Sequence, residues 1–176
     1  MDLIVKNIDT QQELEKVEYL MTSSFPAYEQ TSIDELCQMA KNKSSKFLGY
    51  YLNNTFIGFT FTHKLNDMVF LYYLVIDKNY QCQGIGSKIL NLLLQNKVQL
   101  FLNIEPVDKN AKNSIEYKRL KFYEKNGLFL TDYSLNYENE LYNIVSTNKK
   151  IDTFEYKKLL VDFSNNFIDC SFVENQ

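Results

Sequence analysis

The sequence predicts an α/β (α+β) fold: one mixed, mainly antiparallel sheet of about seven strands, flanked by about four to five helices. Three observations predict it. Period-two hairpins lie on both sides of the chain's centre, a strand–helix–strand series sits between them, and helix-capping residues precede apolar rows spaced by three and four. A chain of 176 residues with 45% hydrophobic content, 13 Phe, 13 Tyr and only 2 Pro is suited to a single packed domain.

Alternation at Leu3, Val5 and Ile8 predicts a first strand, and Thr10-Gln11-Gln12-Glu13 has the spacing of a capping box. The helix that follows buries Leu14, Val17, Leu20 and Met21. Phe25-Pro26 interrupts the chain, and Ser32 to Glu35 caps a second helix carrying Leu36, Cys37 and Ala40. Segments 47–52 and 55–61 form a hairpin about Asn53-Asn54, and a polar break from His63 to Asp67 is expected to be loop. Met68 to Ile76 is apolar almost throughout, as in a central strand covered on both faces. Helical character from Ser87 to Leu94 and a strand from Val98 to Ile104 come next. Asn113-Ser114-Ile115-Glu116 has the pattern of a cap for a helix reaching Asn126, which Gly127 closes. Strands 128–137 and 140–146 flank the turn Glu138-Asn139, and Asp152 starts a last helix with Tyr156, Leu159, Leu160 and Phe163 inside.

A net charge of −3 gives no general attraction to nucleic acid or anionic membrane, so any anion must be bound locally. Cys37, Cys82 and Cys170 with the single His63 supply neither a disulfide framework nor a metal-ligand set, so no metal site is expected. No apolar run approaches the ~18 residues of a membrane span, and a cytoplasmic setting is the simplest expectation.

The most informative stretch runs from Leu74, Val75 and Ile76 at the end of the central strand, through Asp77 to Tyr80, into Gln81-Cys82-Gln83-Gly84-Ile85-Gly86-Ser87. A helix that starts here presents unpaired amides and a positive dipole end, which suit a diphosphate. Gly84 and Gly86 remove side chains that would hold the phosphates away. A P-loop is excluded because Gly86-Ser87-Lys88 reverses its final pair. A dinucleotide fingerprint gains from Glu105 at the end of the next strand, but Ile89 replaces its third glycine, and its glycines belong directly after the strand.

These residues resemble the cofactor motif of the GCN5-related N-acetyltransferase (GNAT) superfamily, Gln/Arg-x-x-Gly-x-Gly/Ala, at Gln81, Gly84 and Gly86. A second likeness is Phe122-Tyr123-Glu124-Lys125-Asn126-Gly127-Leu128, similar to the family's Tyr-Glu-Lys-x-Gly-Phe helix ending. Phe25-Pro26 with Glu29, Tyr72-Tyr73-Leu74, and Asn113 ahead of Lys118-Arg119 are similar to a subgroup of small bacterial members. Departures are Cys82 where glycine is common, Gln83 where lysine or arginine is common, and Leu128 where phenylalanine is usual.

The resemblance implies a GNAT domain over residues 1–150, with 151–176 as a C-terminal helical extension packed on it. It implies acetyl-CoA as co-substrate, its diphosphate on the amides from Gln81 to Ser87 and its pantetheine arm on the backbone of Leu74, Val75 and Ile76. Asn113 and Phe122 are implied cofactor contacts, and Tyr123 stands where the family often places a tyrosine near the cofactor sulfur, as general acid. Glu105 is the first candidate for a general base and Glu29, beside a loop that often shapes acceptor pockets in this family, the second. Cys82 is assigned to the loop, not to a nucleophile, since no histidine stands near it in sequence. The implied partner is an amine acceptor, with the protein a monomer or homodimer. The alternatives are a non-catalytic acetyl-CoA sensor of the same fold and, more remotely, a nicotinamide-dependent oxidoreductase.

Overall fold

The computed structural model describes residues 2–95, 97–165 and 168–175. Among these residues one sheet holds eight strands: β1 (Leu3–Asn7), β2 (Ser45–Leu52), β3 (Thr55–Leu65), β4 (Met68–Ile76), β5 (Gln99–Ile104), β6 (Phe129–Tyr137), β7 (Glu140–Ser146) and β8 (Cys170–Glu174). The α-helices are α1 (Gln11–Ser24), α2 (Ile33–Met39), α3 (Ile85–Leu94), α4 (Ile115–Lys125) and α5 (Thr153–Phe163). Sheet order is β1-β2-β3-β4-β5-β7-β6-β8. β4 and β5 pair in parallel from Met68↔Gln99 to Phe70↔Phe101. The pairs β1–β2, β2–β3, β5–β7, β6–β7 and β6–β8 are antiparallel. The mainly antiparallel sheet with one parallel step is the fold class expected.

Local chemistry explains most boundaries. The Thr10 hydroxyl accepts the Glu13 amide at 3.3 Å, and the Glu13 carboxylate accepts the Thr10 amide at 3.0 Å, which completes the capping box of α1. Val17, Leu20 and Met21 are then buried on one face, each contributing roughly 1.5–3 kcal/mol relative to exposure. Asn53-Asn54 and Glu138-Asn139 hold consecutive positive φ angles of 48°, 63° and 51°, 64°. Two left-handed residues in succession match the right-handed twist of a tight hairpin. α4 ends in a Schellman motif: the Gly127 amide donates to the Glu124 carbonyl, and the Leu128 amide reaches back to the Tyr123 carbonyl, each at 3.1 Å. Gly127 has φ +81° there, and Leu128 is fully buried.

The chain packs as two compact units, Met1–His63 with Leu71–Lys88 and Lys64–Phe70 with Ile89–Gln176. In the first, Phe47 packs against Phe59 and Phe61 with ring centroids 5.9 and 5.5 Å apart. In the second, Tyr156 of α5 stacks on Phe101 of β5 at 4.4 Å, and its hydroxyl donates to Asn103 Oδ1 at 2.8 Å.

Four expectations are corrected. His63 is not in a loop: β3 continues through it, its side chain is 1% exposed, and Nδ1 lies 2.9 Å from Ser45 Oγ. A hydroxyl across the strand pair gives the ring a partner, so its polarity does not end the strand. Ser114, not Asn113, caps α4, its hydroxyl accepting the Tyr117 amide at 3.0 Å. α3 begins at Ile85, two residues before the helical character read from Ser87. The C-terminal stretch is not helix alone, since β8 pairs with β6 from Tyr133↔Glu174 to Tyr137↔Cys170.

Candidate functional site

In the first unit, β4 ends at Ile76 and a 3-10 turn, Lys78–Tyr80, leads to the glycine segment. Side chains brace this loop. Asp77 Oδ1 accepts the Asn79 amide at 2.8 Å, Gln81 Nε2 donates to the Ile76 carbonyl at 2.8 Å, and Gln83 Nε2 to the Asn79 carbonyl at 2.9 Å. Gln81 and Gln83 are therefore occupied in shaping the loop. Ile85 is buried and anchors the first turn of α3, while Gln81 to Gly84 are exposed. The first bond of the helix runs from the Lys88 amide to the Gly84 carbonyl at 3.1 Å, so the amides of Ile85, Gly86 and Ser87 precede any intrahelical acceptor.

Backbone conformation adds a constraint. Gly84 has φ +78°, and a Cβ built there would meet nothing within 4 Å, which leaves open space beside the amides. Cys82 has φ +60°, a left-handed conformation costing a residue with a Cβ roughly 1–2 kcal/mol. Glycine, with no Cβ, would adopt this conformation without that cost. On the neighbouring strand, a Cβ at Gly58 would collide with the Val75 carbonyl oxygen, and the Ile57 carbonyl accepts the Asp77 amide at 2.8 Å. β3 thus closes tightly on the end of β4. Val75 is buried, and Leu74 and Ile76 are half-buried.

The same strand fixes the segment between α1 and α2. The Tyr73 hydroxyl donates to the Glu29 carbonyl at 2.7 Å and accepts the Thr31 amide at 3.1 Å, and the Phe25 ring meets Tyr73 edge-on at 5.3 Å. Thr31 Oγ1 lies 2.7 Å from the Tyr72 hydroxyl. Burial pushes the Tyr72 phenol up from its ordinary value, with nearby Tyr73 adding to the shift. Nothing local in the sequence announces Thr31, whose partners stand about forty residues away.

In the second unit, Tyr123 lies on α4 with 7% exposure. No buried side-chain oxygen lacks a partner among the described residues, and the Tyr123 hydroxyl has none of its own, so that hydroxyl reaches a surface. Burial, opposed by the Arg119 guanidinium and reinforced by the Glu105 carboxylate, pushes its pKa up to about 12. Arg119 Nη1 donates to Glu105 Oε2 in an ion pair whose side chains are each 32% exposed. Tyr123 and Glu105 are therefore brought together with Arg119, one helical turn before Tyr123, a role the sequence reading missed. Its signal was the four-residue spacing on α4. The half-buried Phe122 ring lies 5.2 Å from Tyr123, and Asn113 is exposed ahead of the helix.

A helix start with free amides behind a braced glycine loop, on a mainly antiparallel sheet with one parallel step, defines a protein suited to a phosphate-bearing ligand. The model of the acetyltransferase (GNAT) family matches residues 13–128, and the chain belongs to that family. Over 62 residues it is 31% identical to YjbC of Bacillus subtilis (strain 168), named as an acetyltransferase; the match covers 35% of this chain and spans about a third (31%) of that protein's length. A GNAT-family acetyltransferase structure from Bacteroides thetaiotaomicron superposes with a TM-score of 0.70 at 20% identity, covering 93% of this chain and 99% of that one. The PaiA N-acetyltransferase of Thermoplasma acidophilum, solved in complex with coenzyme A, gives a TM-score of 0.57 at 16% identity over 82% of this chain and 98% of its own.

Proposed function

We propose that the protein is an acetyl-CoA-dependent N-acetyltransferase acting on a primary amine by direct attack. The observation that carries this reading is the Gln81–Ser87 cradle, with unpaired amides of Ile85, Gly86 and Ser87 beside the open space at Gly84. Those amides hold the diphosphate, and the backbone of Leu74, Val75 and Ile76 receives the pantetheine arm. Asn113 and Phe122 are further cofactor contacts. Acetyl-CoA supplies the thioester carbon. In the transfer a C–N bond forms, the C–S bond breaks, the amine loses a proton and the departing thiolate gains one.

Tyr123 is the proton donor: a phenol held at about 12 keeps its proton through the neutral range. Arg119 beside it favours the phenolate left after donation. Glu105 is the base, working through its oxygen not engaged by Arg119. The coenzyme A held by PaiA and the family membership support the choice of ligand.

Calorimetric titration with acetyl-CoA tests the reading. Binding is expected in the unmodified protein, with Gly84→Val weakening it at least ~10-fold because the added side chain strains a left-handed residue and fills the open space. Gln83→Ala should change affinity less than ~3-fold, since Gln83 points back to Asn79. Failure of acetyl-CoA to bind, or equal effects of the two substitutions, defeats the argument.

A further inference from the structure

The chain leaves β5 through Glu105-Pro106-Val107. Proline fixes its own φ and restricts the residue before it to extended backbone, so the direction in which Glu105 leaves the strand follows from how Val107 is held. Asn143 of β7 holds it. Its backbone pairs with Ile104, the last residue of β5, and its side-chain Oδ1 accepts the Val107 amide at 2.9 Å. One residue thus grips the chain on both sides of Glu105-Pro106. Asparagine is otherwise a poor strand former.

The Asn143 side chain is itself fixed. Its Nδ2 donates to Ser134 Oγ at 3.0 Å, Ser134 Oγ donates to Asn175 Oδ1 at 2.7 Å, and Asn175 Nδ2 donates to the Thr131 carbonyl at 3.1 Å. A backbone N–H only donates and a carbonyl only accepts, so the two ends, Val107 and Thr131, leave this chain of bonds one consistent direction. Ser134 is 1% exposed, in surroundings of low dielectric where a hydrogen bond is stronger. The β6–β7 register shifts between Leu130 and Ser134, and Asn175 repairs that irregularity, its own amide donating to the Asp132 carbonyl at 2.8 Å. Asn143, Ser134 and Asn175 all lie beyond residues 13–128, the part that the family model matches.

We infer that Asn143 is a positioning residue for Glu105, anchored through Ser134 to Asn175, the residue after β8. The inference rests on the reading of Glu105 as the base, and it adds that the segment beyond α5 takes part in the site by aiming that carboxylate. Asn143 acts through the backbone: holding Val107 holds the end of β5, and with it the Glu105 carboxylate against the Arg119 guanidinium.

The test has a spectroscopic and a kinetic arm, both on the full chain. Arg119 is the single arginine of the chain, so its guanidinium nitrogen resonances are unambiguous in an NMR spectrum. Glu105→Gln gives their position when the carboxylate partner is lost. Asn143→Leu, of similar shape but without polar side-chain atoms, is expected to move them most of the way to that position. Asn175→Ala, at an exposed residue further along the chain of bonds, should move them less and in the same direction, and it carries the test if Asn143→Leu fails to fold. In the kinetic arm, thiol release from acetyl-CoA is followed with 1-aminobutane as the amine. Asn143→Leu should lower kcat about tenfold and leave the KM for acetyl-CoA unchanged. In a Glu105→Gln background the same substitution should cost less than ~2-fold, since no carboxylate is left to aim. Thermal denaturation confirms that each variant folds. Arg119 resonances that stay at the parent position in both variants overturn the inference, as does an equal loss of turnover with and without Glu105, which is what a purely structural role produces. Absence of thiol release from the unmodified protein bears on the proposed function alone, and the Arg119 resonances still decide whether Asn143 positions Glu105.

Discussion

At the scale of single residues, two substitutions separate chemistry from backbone. Tyr123→Phe removes the proposed proton donor and keeps the ring that packs beside Phe122. Turnover, followed by thiol release, is expected to fall about 100-fold with little change in acetyl-CoA affinity. Unaltered turnover would remove the hydroxyl from the mechanism. Cys82 tests the loop in the opposite sense, because its φ of +60° suits glycine better than any residue with a Cβ. Cys82→Gly should stabilise the protein by ~1 kcal/mol, read as a rise of about 2–4 °C in Tm, and Cys82→Ala should not. If both variants lose stability alike, the thiol's contacts outweigh the backbone strain. The departure of Cys82 from the family motif was legible in the sequence, but its backbone conformation was not. The Glu105–Arg119 pair was equally hidden, since only the packing of α4 brings residues fourteen apart into contact.

At the scale of elements, legibility follows how local each determinant is. Thr10, Ser32 and Asp152 cap helices by accepting from amides two or three residues away, and their spacing identifies α1, α2 and α5 directly. Asn113 and Ser114 are both good caps in succession, so the sequence offers two starts for α4 and geometry selects the second. β8 and His63 depend on partners supplied by other strands, and five residues of β8 carry too little pattern to announce a strand unaided. The capping box of α1 makes a pH-dependent prediction. Burial alone would raise the Glu13 carboxyl, but bonds from the Tyr51 and Thr10 side chains and the Asp9 and Thr10 amides outweigh it and lower its pKa from 4.5 to about 2. A folded-state value below the unfolded one adds stability that is complete above about pH 4.5 and lost as pH falls toward 2. Glu13→Gln should therefore be less stable than the parent at neutral pH, by an amount that shrinks across that window. Urea denaturation at pH 7, 4.5 and 3 measures it, and a pH-independent gap would show that the charge on Glu13 is not what stabilises α1.

At the scale of the whole molecule, the C-terminal segment decides whether the second unit is complete without it. α5 covers β5 through Tyr156, which has no exposed surface, stacks on Phe101 at an interplanar angle of 11° and bonds to Asn103. Phe163 further along the helix meets Phe70 edge-on at 5.1 Å, and β8 extends the sheet beyond β6. Tyr156→Ala deletes a ring from this packing and leaves a cavity, with an expected loss of ~3–5 kcal/mol. Tyr156→Phe keeps the ring and removes one hydrogen bond to Asn103, for about 1 kcal/mol. The contrast between the two, measured by denaturant unfolding, reports how far α5 shares the core of the second unit. If α5 were an appendage, Tyr156→Ala would unfold that helix alone and leave the main transition in place. A core role instead lowers the midpoint of the main transition, and weakens the support of β5, whose end carries Glu105.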